Sequence, residues 1–417
     1  MLSLEALQEI TGTQVFDSTE GRTSYVVVTA HGGHARLSPS AHYLLKNLQA
    51  GRSYQQLAQE LSERGPREVF PEEVEAACRH VVGRLREVDD RAAGRTLPPG
   101  FWLRFRLMPS RWVAKLANRL AWAFHPVAAV LLLGFIAASF SRGLRQTLSF
   151  DLSGSASWPW LGYLLFLASL LVHELGHASA CSRYGVAPSE IGFAAYLIYP
   201  VFYSDVTAAW RLRRWQRVVV DLGGTYFQLV VAGLYSALSI WSGWAPLRSA
   251  CFMILIGALF SLNPVFKFDG YWILADSLGV ANLSRQPSVL VRHALARLRG
   301  RPVGTLPWPG WVLTILTLYA LAASLTWAWF MVRLAPFLLA KTLGVPWAAL
   351  SLWASLHGVG PAWAGLADFL WTSVLLTFVW YGVWRILQSS VFTPALQWLR
   401  ETRKERRSRN AAAVTAS

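Results

Sequence analysis

The stretch LLVHELGHASA, residues 170–180, lies inside an apolar run that extends from about 160 to 181. A run of that length can cross the hydrocarbon core of a bilayer as a single helix. Within it His173 and His177 are four apart, so on a helix both imidazoles leave one face and can bind one metal ion. Glu174 lies beside them, placed to take a proton from a water activated by that metal. Zinc lowers the pKa of such a water to about 7 and stabilises the oxyanion of a tetrahedral intermediate, which is what peptide-bond hydrolysis needs. Each ionisable side chain at mid-membrane costs about 2.5–3.5 kcal/mol on the insertion scale, so three of them in one span require compensation. The competing account is that these polar groups join helices to one another.

Outward from this run, further apolar stretches fall at about 120–140, 218–241, 250–266, 311–331 and 362–386, giving about six spans with that at 160–181. The stretch 345–359 is apolar but interrupted, and reads as a loop or re-entrant piece. Basic residues cluster at 104–119, 211–217, 285–301 and 400–409, on alternate sides of the spans in the way six crossings require. The excess of Lys and Arg on cytoplasmic loops therefore puts all four groups, and both termini, in the cytosol. Composition agrees, with 54% hydrophobic residues and 21 tryptophans.

The net charge of +16 raises the question of a nucleic-acid partner. Residues 1–95 carry 11 Lys and Arg against 13 Asp and Glu, so the whole excess belongs to the membrane part, and no nucleic-acid partner is expected. Cys78, Cys181 and Cys251 are too few and too scattered for a disulfide framework or a cysteine zinc site. The N-terminus lacks the apolar core of a signal peptide, so the first domain is expected to stay in the cytosol.

A catalytic zinc usually has three protein ligands plus water, and two imidazoles leave one position to fill. The best third ligand is Asp269 in NPVFKFDGYW, residues 263–272, at the end of the fourth run, with Gly270 allowing a turn behind it. The second and fourth spans both run from outside to inside, so the histidine pair and Asp269 reach similar depths near the cytoplasmic face. Asp269 also fits a loop carboxylate beside a helix end. Asn263 is either a donor to substrate backbone or oxyanion, or a cap or turn residue before Pro264. His31 and His34, in HGGH, lack a third ligand and read as exposed turn residues.

Before the membrane part, residues 1–95 form a small α+β unit. SYVVVTAHGGHARL (24–37) reads as a β-hairpin, and three short helical patterns follow. Ser38 or Ser40 can cap the first helix, which Gly51 ends; Ser53 can cap the second, and Pro71 opens the third. GRTLPPG (94–100) reads as a linker, and 96–119 as linker and basic juxtamembrane segment. Residues 120–390 form the membrane domain, and 391–417 a solvated basic tail. The fold class is thus mainly α: a polytopic membrane protein of about six helices with an N-terminal winged-helix-like cytosolic unit.

HELGH in one span with an Asn-Pro…Asp-Gly segment in a later one resembles the site-2 protease family of intramembrane zinc metalloproteases. The resemblance is closer to that family's bacterial peptide-associated branch, through IGFAAYLIYPVFYSDVTAAWRL (191–212), DLGGTYFQLVVAG (221–233) and LNPVFKFDGYWILADSLG (262–279). It covers most of residues 100–390, and implies one Zn2+ per chain on His173, His177 and Asp269, with Glu174 as general base. It further implies a bacterial cell membrane location and a substrate that is a peptide or small-protein precursor, such as a ribosomally made, modified peptide. The chain departs from the broader family where a Gly-Pro-x-x-Asn segment is common: here residues 224–228 read GTYFQ. Residues 25–59 are similar to PqqD-like peptide-binding modules, which implies that a precursor's leader pairs along a strand edge beside the third helix. A plain winged helix with a regulatory or assembly role fits the same residues. Of the remaining functional readings, a non-proteolytic part of a peptide export or immunity system is opposed by the intact HELGH and Asp269. A DNA-binding membrane sensor is opposed by the near-neutral first domain.

Overall fold

The computed structural model describes residues 11–16, 24–31, 33–64, 68–93, 101–148, 159–196, 199–280, 282–300 and 304–357, with isolated positions as far as 384. Two compact bodies divide the chain: residues up to 194 together with 201–325, and residues 195–200 together with those from 326 onward.

The N-terminal elements follow local rules. Strands β1 (Thr11–Phe16), β2 (Ser24–Val28) and β3 (His34–Leu37) form one antiparallel sheet in that order. β1 adds a strand to the hairpin expected from sequence. Helix α1 (Pro39–Gln49) starts at Ser38, whose hydroxyl accepts from the Ala41 N–H at 3.2 Å, and Gly51 follows it in the left-handed region at φ +76°. Helix α2 (Tyr54–Arg64) opens with a capping box. The Gln56 N–H donates to Ser53 Oγ at 3.2 Å and the Ser53 N–H to Gln56 Oε1 at 3.0 Å. Helix α3 (Pro71–Ala92) begins at Pro71, whose missing N–H costs nothing in a first turn. Val27, Leu37, Leu45, Val82 and Leu85 close one small core between sheet and helices. Leu44, Leu57, Val74 and Cys78 close another. His31 clamps its turn to α3: its backbone N–H and Nδ1 meet the two carboxylate oxygens of Asp89 at 3.0 and 2.8 Å.

Within the stretch read as linker and juxtamembrane segment lie strand β4 (Phe101–Met108) and helix α4 (Ser110–Leu120). Residues 94–100 fall outside the described ones. Helix α4 buries Val113 and Ala117 and exposes Arg111, Trp112, Lys115 and Arg119. The first apolar helix, α5 (Pro126–Leu148), starts later than hydropathy alone predicts, because a 3₁₀ turn at Ala121–Phe124 precedes it and Pro126 takes its first position. Helix α6 (Pro159–Arg183) carries the HELGH motif. Strands β5 (Ile191–Tyr196) and β6 (Tyr199–Ser204) join β4 in a second sheet ordered β4-β5-β6. Helices α7 (Arg214–Ser242), α8 (Ala245–Ser261), α9 (Asp269–Leu278), α10 (Gln286–Leu298) and α11 (Gly310–Leu356) complete the described elements.

Four described helices, α5, α6, α7 and the first half of α11, are long and apolar enough to cross a bilayer, as a mainly helical membrane protein requires. α8 is apolar but has 17 residues. It ends at Ser261 rather than near 266, where the apolar run stops, because Pro264 disfavours helix at Asn263 and the Val265 N–H turns back to Asn263 Oδ1 at 2.9 Å. The expected span at 362–386 falls largely outside the described residues. The stretch from 345, read from sequence as a loop or re-entrant piece, is instead helix as far as Leu356. α11 continues through Arg333, Lys341, Pro336 and Pro346. A helix of membrane type carries a proline when neighbouring groups or local adjustments re-satisfy the freed backbone carbonyl.

Candidate metal centre

The centre is built where α6 and α7 cross, and the crossing is close because the residues there have no side chains. A Cβ on Gly176 would strike the carbonyl of Gly223, and one on Gly223 would fall 2.8 Å from the carbonyl of Gly176. Two stripes at fourfold spacing then face each other: Ser169, His173 and His177 on α6, and Val220, Gly224 and Gln228 on α7.

Those contacts fix both imidazoles. His177 Nδ1 donates to the carbonyl of Val220 at 2.7 Å. His173 Nδ1 donates to Gln228 Oε1 at 3.2 Å, while Gln228 Nε2 donates to Ser169 Oγ at 3.2 Å, which settles the orientation of that amide. With both Nδ1 protons so committed, each Nε2 presents a lone pair, the usual effect of such supporting bonds on metal-binding histidines.

The two Nε2 atoms lie 3.1 Å apart. Asp269, the first residue of α9, brings Oδ2 to 3.0 Å from His173 Nε2 and Oδ1 to 3.6 Å from His177 Nε2. Ser261 Oγ, at the end of α8, donates to Asp269 Oδ2 at 3.0 Å and links the two helices. Gly270 lets them meet: a Cβ there would collide with the carbonyl of Leu262. Its backbone is ordinary helix, so close approach rather than the expected turn explains the glycine. At its other end α9 is tied to α7 by the buried pair Arg217–Asp276, 2.8 Å apart, and by Arg214 donating to the Ser277 carbonyl.

Three lone-pair donors thus converge, their ligand atoms within 4.8 Å of one another, and a cation relieves their mutual repulsion. The space for it is present. A Cβ at Gly224 would fall 2.5 Å from His173 Nε2 and against His177 Nε2 as well, so the glycine leaves open the volume that both nitrogens address. Two imidazole nitrogens and one carboxylate form a donor set suited to zinc with one position left for water.

Glu174 points to the neighbouring side, where Ser204 Oγ at the end of β6 donates to its Oε2 at 2.6 Å. Of the residues singled out from sequence, His173, His177 and Asp269 meet in one cluster and Glu174 lies beside it. Asn263 sits in the turn between α8 and α9, its side-chain oxygen engaged by Val265. His31 and His34 lie in the N-terminal unit. From sequence, Gly224 and Gln228 stood out only as part of the departure at 224–228, and Ser261 and Ser204 not at all. The first two had a legible signal, small or polar residues at fourfold spacing in an apolar helix, whereas nothing local marks Ser204 or Ser261.

Apolar helices of membrane-spanning length that bring two histidines and a carboxylate together, with a further carboxylate beside them, define a class: membrane proteins with a cluster able to hold a metal ion. Among curated proteins the chain is similar to the "Putative peptide zinc metalloprotease protein YydH" of Bacillus subtilis (strain 168), 24% identical over 124 residues. That match covers 29% of this chain and 49% of YydH, so the chain spans about half the length of the relative it matches. No family model matches the chain. No solved structure matches it.

Proposed function

We propose that this chain is an intramembrane zinc metalloprotease that hydrolyses a peptide bond of a peptide or small-protein precursor at the cytoplasmic side of the membrane. The observation that carries the reading is the convergence of His173 Nε2, His177 Nε2 and the Asp269 carboxylate next to Glu174. Its similarity to a relative named as a peptide zinc metalloprotease supports the same class.

Zinc held by the three residues would supply Lewis-acid polarisation of a scissile carbonyl and an acidified water. Glu174 takes a proton from the attacking water and returns it to the leaving amine nitrogen as the C–N bond breaks. Ser204 holds one carboxylate oxygen of Glu174 at 2.6 Å, leaving the other to face the water. Gln228 and the Val220 carbonyl keep the imidazoles in one tautomer throughout. The packed helices exclude bulk solvent, and a helical substrate must unwind locally to offer its carbonyl. In this reading both termini are cytoplasmic. β3, an outer strand of the first sheet that lies beside α3, takes the precursor's leader by strand addition.

The test measures metal content and cleavage together on detergent-purified wild type, Glu174→Ala and Asp269→Ala, with candidate precursor peptides read by mass spectrometry. One zinc per chain in wild type and Glu174→Ala, reduced zinc in Asp269→Ala, and cleavage by wild type alone are expected. Equal processing by wild type and Glu174→Ala would remove hydrolysis from this chain, and leave a non-proteolytic role in peptide export or immunity.

A further inference from the structure

Between 101 and 125 the sequence carries Arg104, Arg106, Arg111, Lys115 and Arg119 and no Asp or Glu. The structure folds this segment into β4 and α4, which enclose a groove of about 530 Å³. Leu107, Met108, Trp112 and Leu116 line its apolar part, and Lys115 and Arg119 stand on the same helix face at its rim. Arg106 approaches Glu190 at 3.6 Å, but among the described residues no carboxylate pairs with Arg111, Lys115 or Arg119. Lys115 Nζ lies over the Trp112 ring, 5.5 Å from its centre.

Position adds to composition. Helix α4 precedes the apolar helix α5 by one short turn, and Trp112 and Trp122 expose 56% and 58% of their surface there. Indole rings of this kind settle at the headgroup level, and an amphipathic helix with basic residues on its polar side lies in the same plane. An apolar trough rimmed by two cations that no described carboxylate pairs with is complementary to an amphiphile with a negative head.

We infer that the groove between β4 and α4 binds an anionic phospholipid, its phosphate on Lys115 and Arg119 and its acyl chains along Leu107, Met108, Trp112 and Leu116. The opposite face of α4 presses Val113 and Ala117 against Leu175 and Ala178 of α6, residues that alternate with the metal-cluster histidines. A lipid seated here therefore braces the back of the helix that carries the site. The inference is independent of the proteolytic reading, since it concerns a surface that binds lipid whether or not the metal centre is active.

The test uses the full chain in detergent, titrated with phosphatidylglycerol or with phosphatidylcholine of identical acyl chains, and counts retained lipid by native mass spectrometry. Each basic side chain near an anionic surface contributes about a fivefold preference, so wild type is expected to favour phosphatidylglycerol about tenfold or more. The pair Lys115→Gln/Arg119→Gln is expected to lose most of that preference. The control Arg297→Gln/Arg299→Gln, the same charge change at exposed positions of α10 and just beyond it, keeps it. Unfolding temperatures establish that both variants are folded, and if the pair is not, the single variants Lys115→Gln and Arg119→Gln replace it, each expected to lose about a fivefold part of the preference. Equal retention of the two lipids by wild type overturns the inference, as does an equal loss of preference in the groove variant and the control.

Discussion

Gly224→Ala tests the centre without touching any ligand or the general base. The added Cβ would sit 2.5 Å from His173 Nε2 and 2.7 Å from its Cδ2, and closer still to His177 Nε2. Ordinary Cβ contacts begin near 3.4 Å, so the imidazoles or α7 must move by about 1 Å. Retreat of α7 would stretch the hydrogen bonds that tie it to α6 through Val220 and Gln228, and close-packed interiors transmit such strain rather than absorb it. Metal sites tolerate changes in ligand distance of about 0.2 Å, several times less than this displacement. The expected result is a loss of zinc affinity of at least about 100-fold, comparable to or beyond the loss of a supporting hydrogen bond, with cleavage falling in parallel. Zinc content by elemental analysis and competition with a chelator read the effect directly. Gly257→Ala on α8 is the control, because its nearest neighbour, Phe166, lies at 3.5 Å, and it is expected to keep both metal and activity. A folded Gly224→Ala protein with one zinc per chain and wild-type turnover would refute the assignment of this volume to a cation.

Three further outcomes follow from single contacts. Gln228→Leu removes the acceptor for His173 Nδ1 and frees the ring's tautomer, and is expected to weaken zinc binding about 10- to 100-fold in a chelator competition. Ser204→Ala removes the hydroxyl that holds Glu174, so kcat should fall about tenfold or more with zinc content unchanged, and Ser204→Thr should restore most of it; an unaltered kcat in the alanine variant sinks this positioning role. In the N-terminal unit burial raises the Asp89 carboxyl, but hydrogen bonds from the His31 N–H, the Thr29 hydroxyl and the His31 ring outweigh it and hold it below the usual carboxylate range. A depressed pKa contributes stability above the unfolded value and loses it as pH falls, so α3 should lose hydrogen-exchange protection below about pH 4 in wild type. The same protection in Asp89→Asn should be lower at neutral pH and less sensitive to acid.

What the sequence determined is local or one-dimensional. Fourfold spacing places His173 and His177 on one helical face, and apolar length makes α5, α6 and α7 long enough to span a bilayer. Ser38, Ser53 and Pro71 open α1, α2 and α3 because capping depends only on neighbours a turn away. Residue type singles out Asp269 in the segment after α8, and its carboxylate lies 3.0 Å from His173 Nε2. Other features had no such signature. Continuation of helix past Pro346 depends on whether the freed carbonyl is satisfied by other groups, which a breaker rule cannot weigh.

Tertiary structure alone decided how the centre is assembled. Gly176 and Gly223 are 47 positions apart, and only their contact brings the α6 and α7 stripes within reach of hydrogen bonds. That approach sets the tautomers through Val220 and Gln228, and brings Ser204 from β6 onto Glu174. The sequence thus determined which residues can donate lone pairs, because residue type and helical period suffice for that. Their convergence on one shared volume was decided by packing between distant segments, because a hydrogen bond tolerates only tenths of an ångström and no periodicity records that distance.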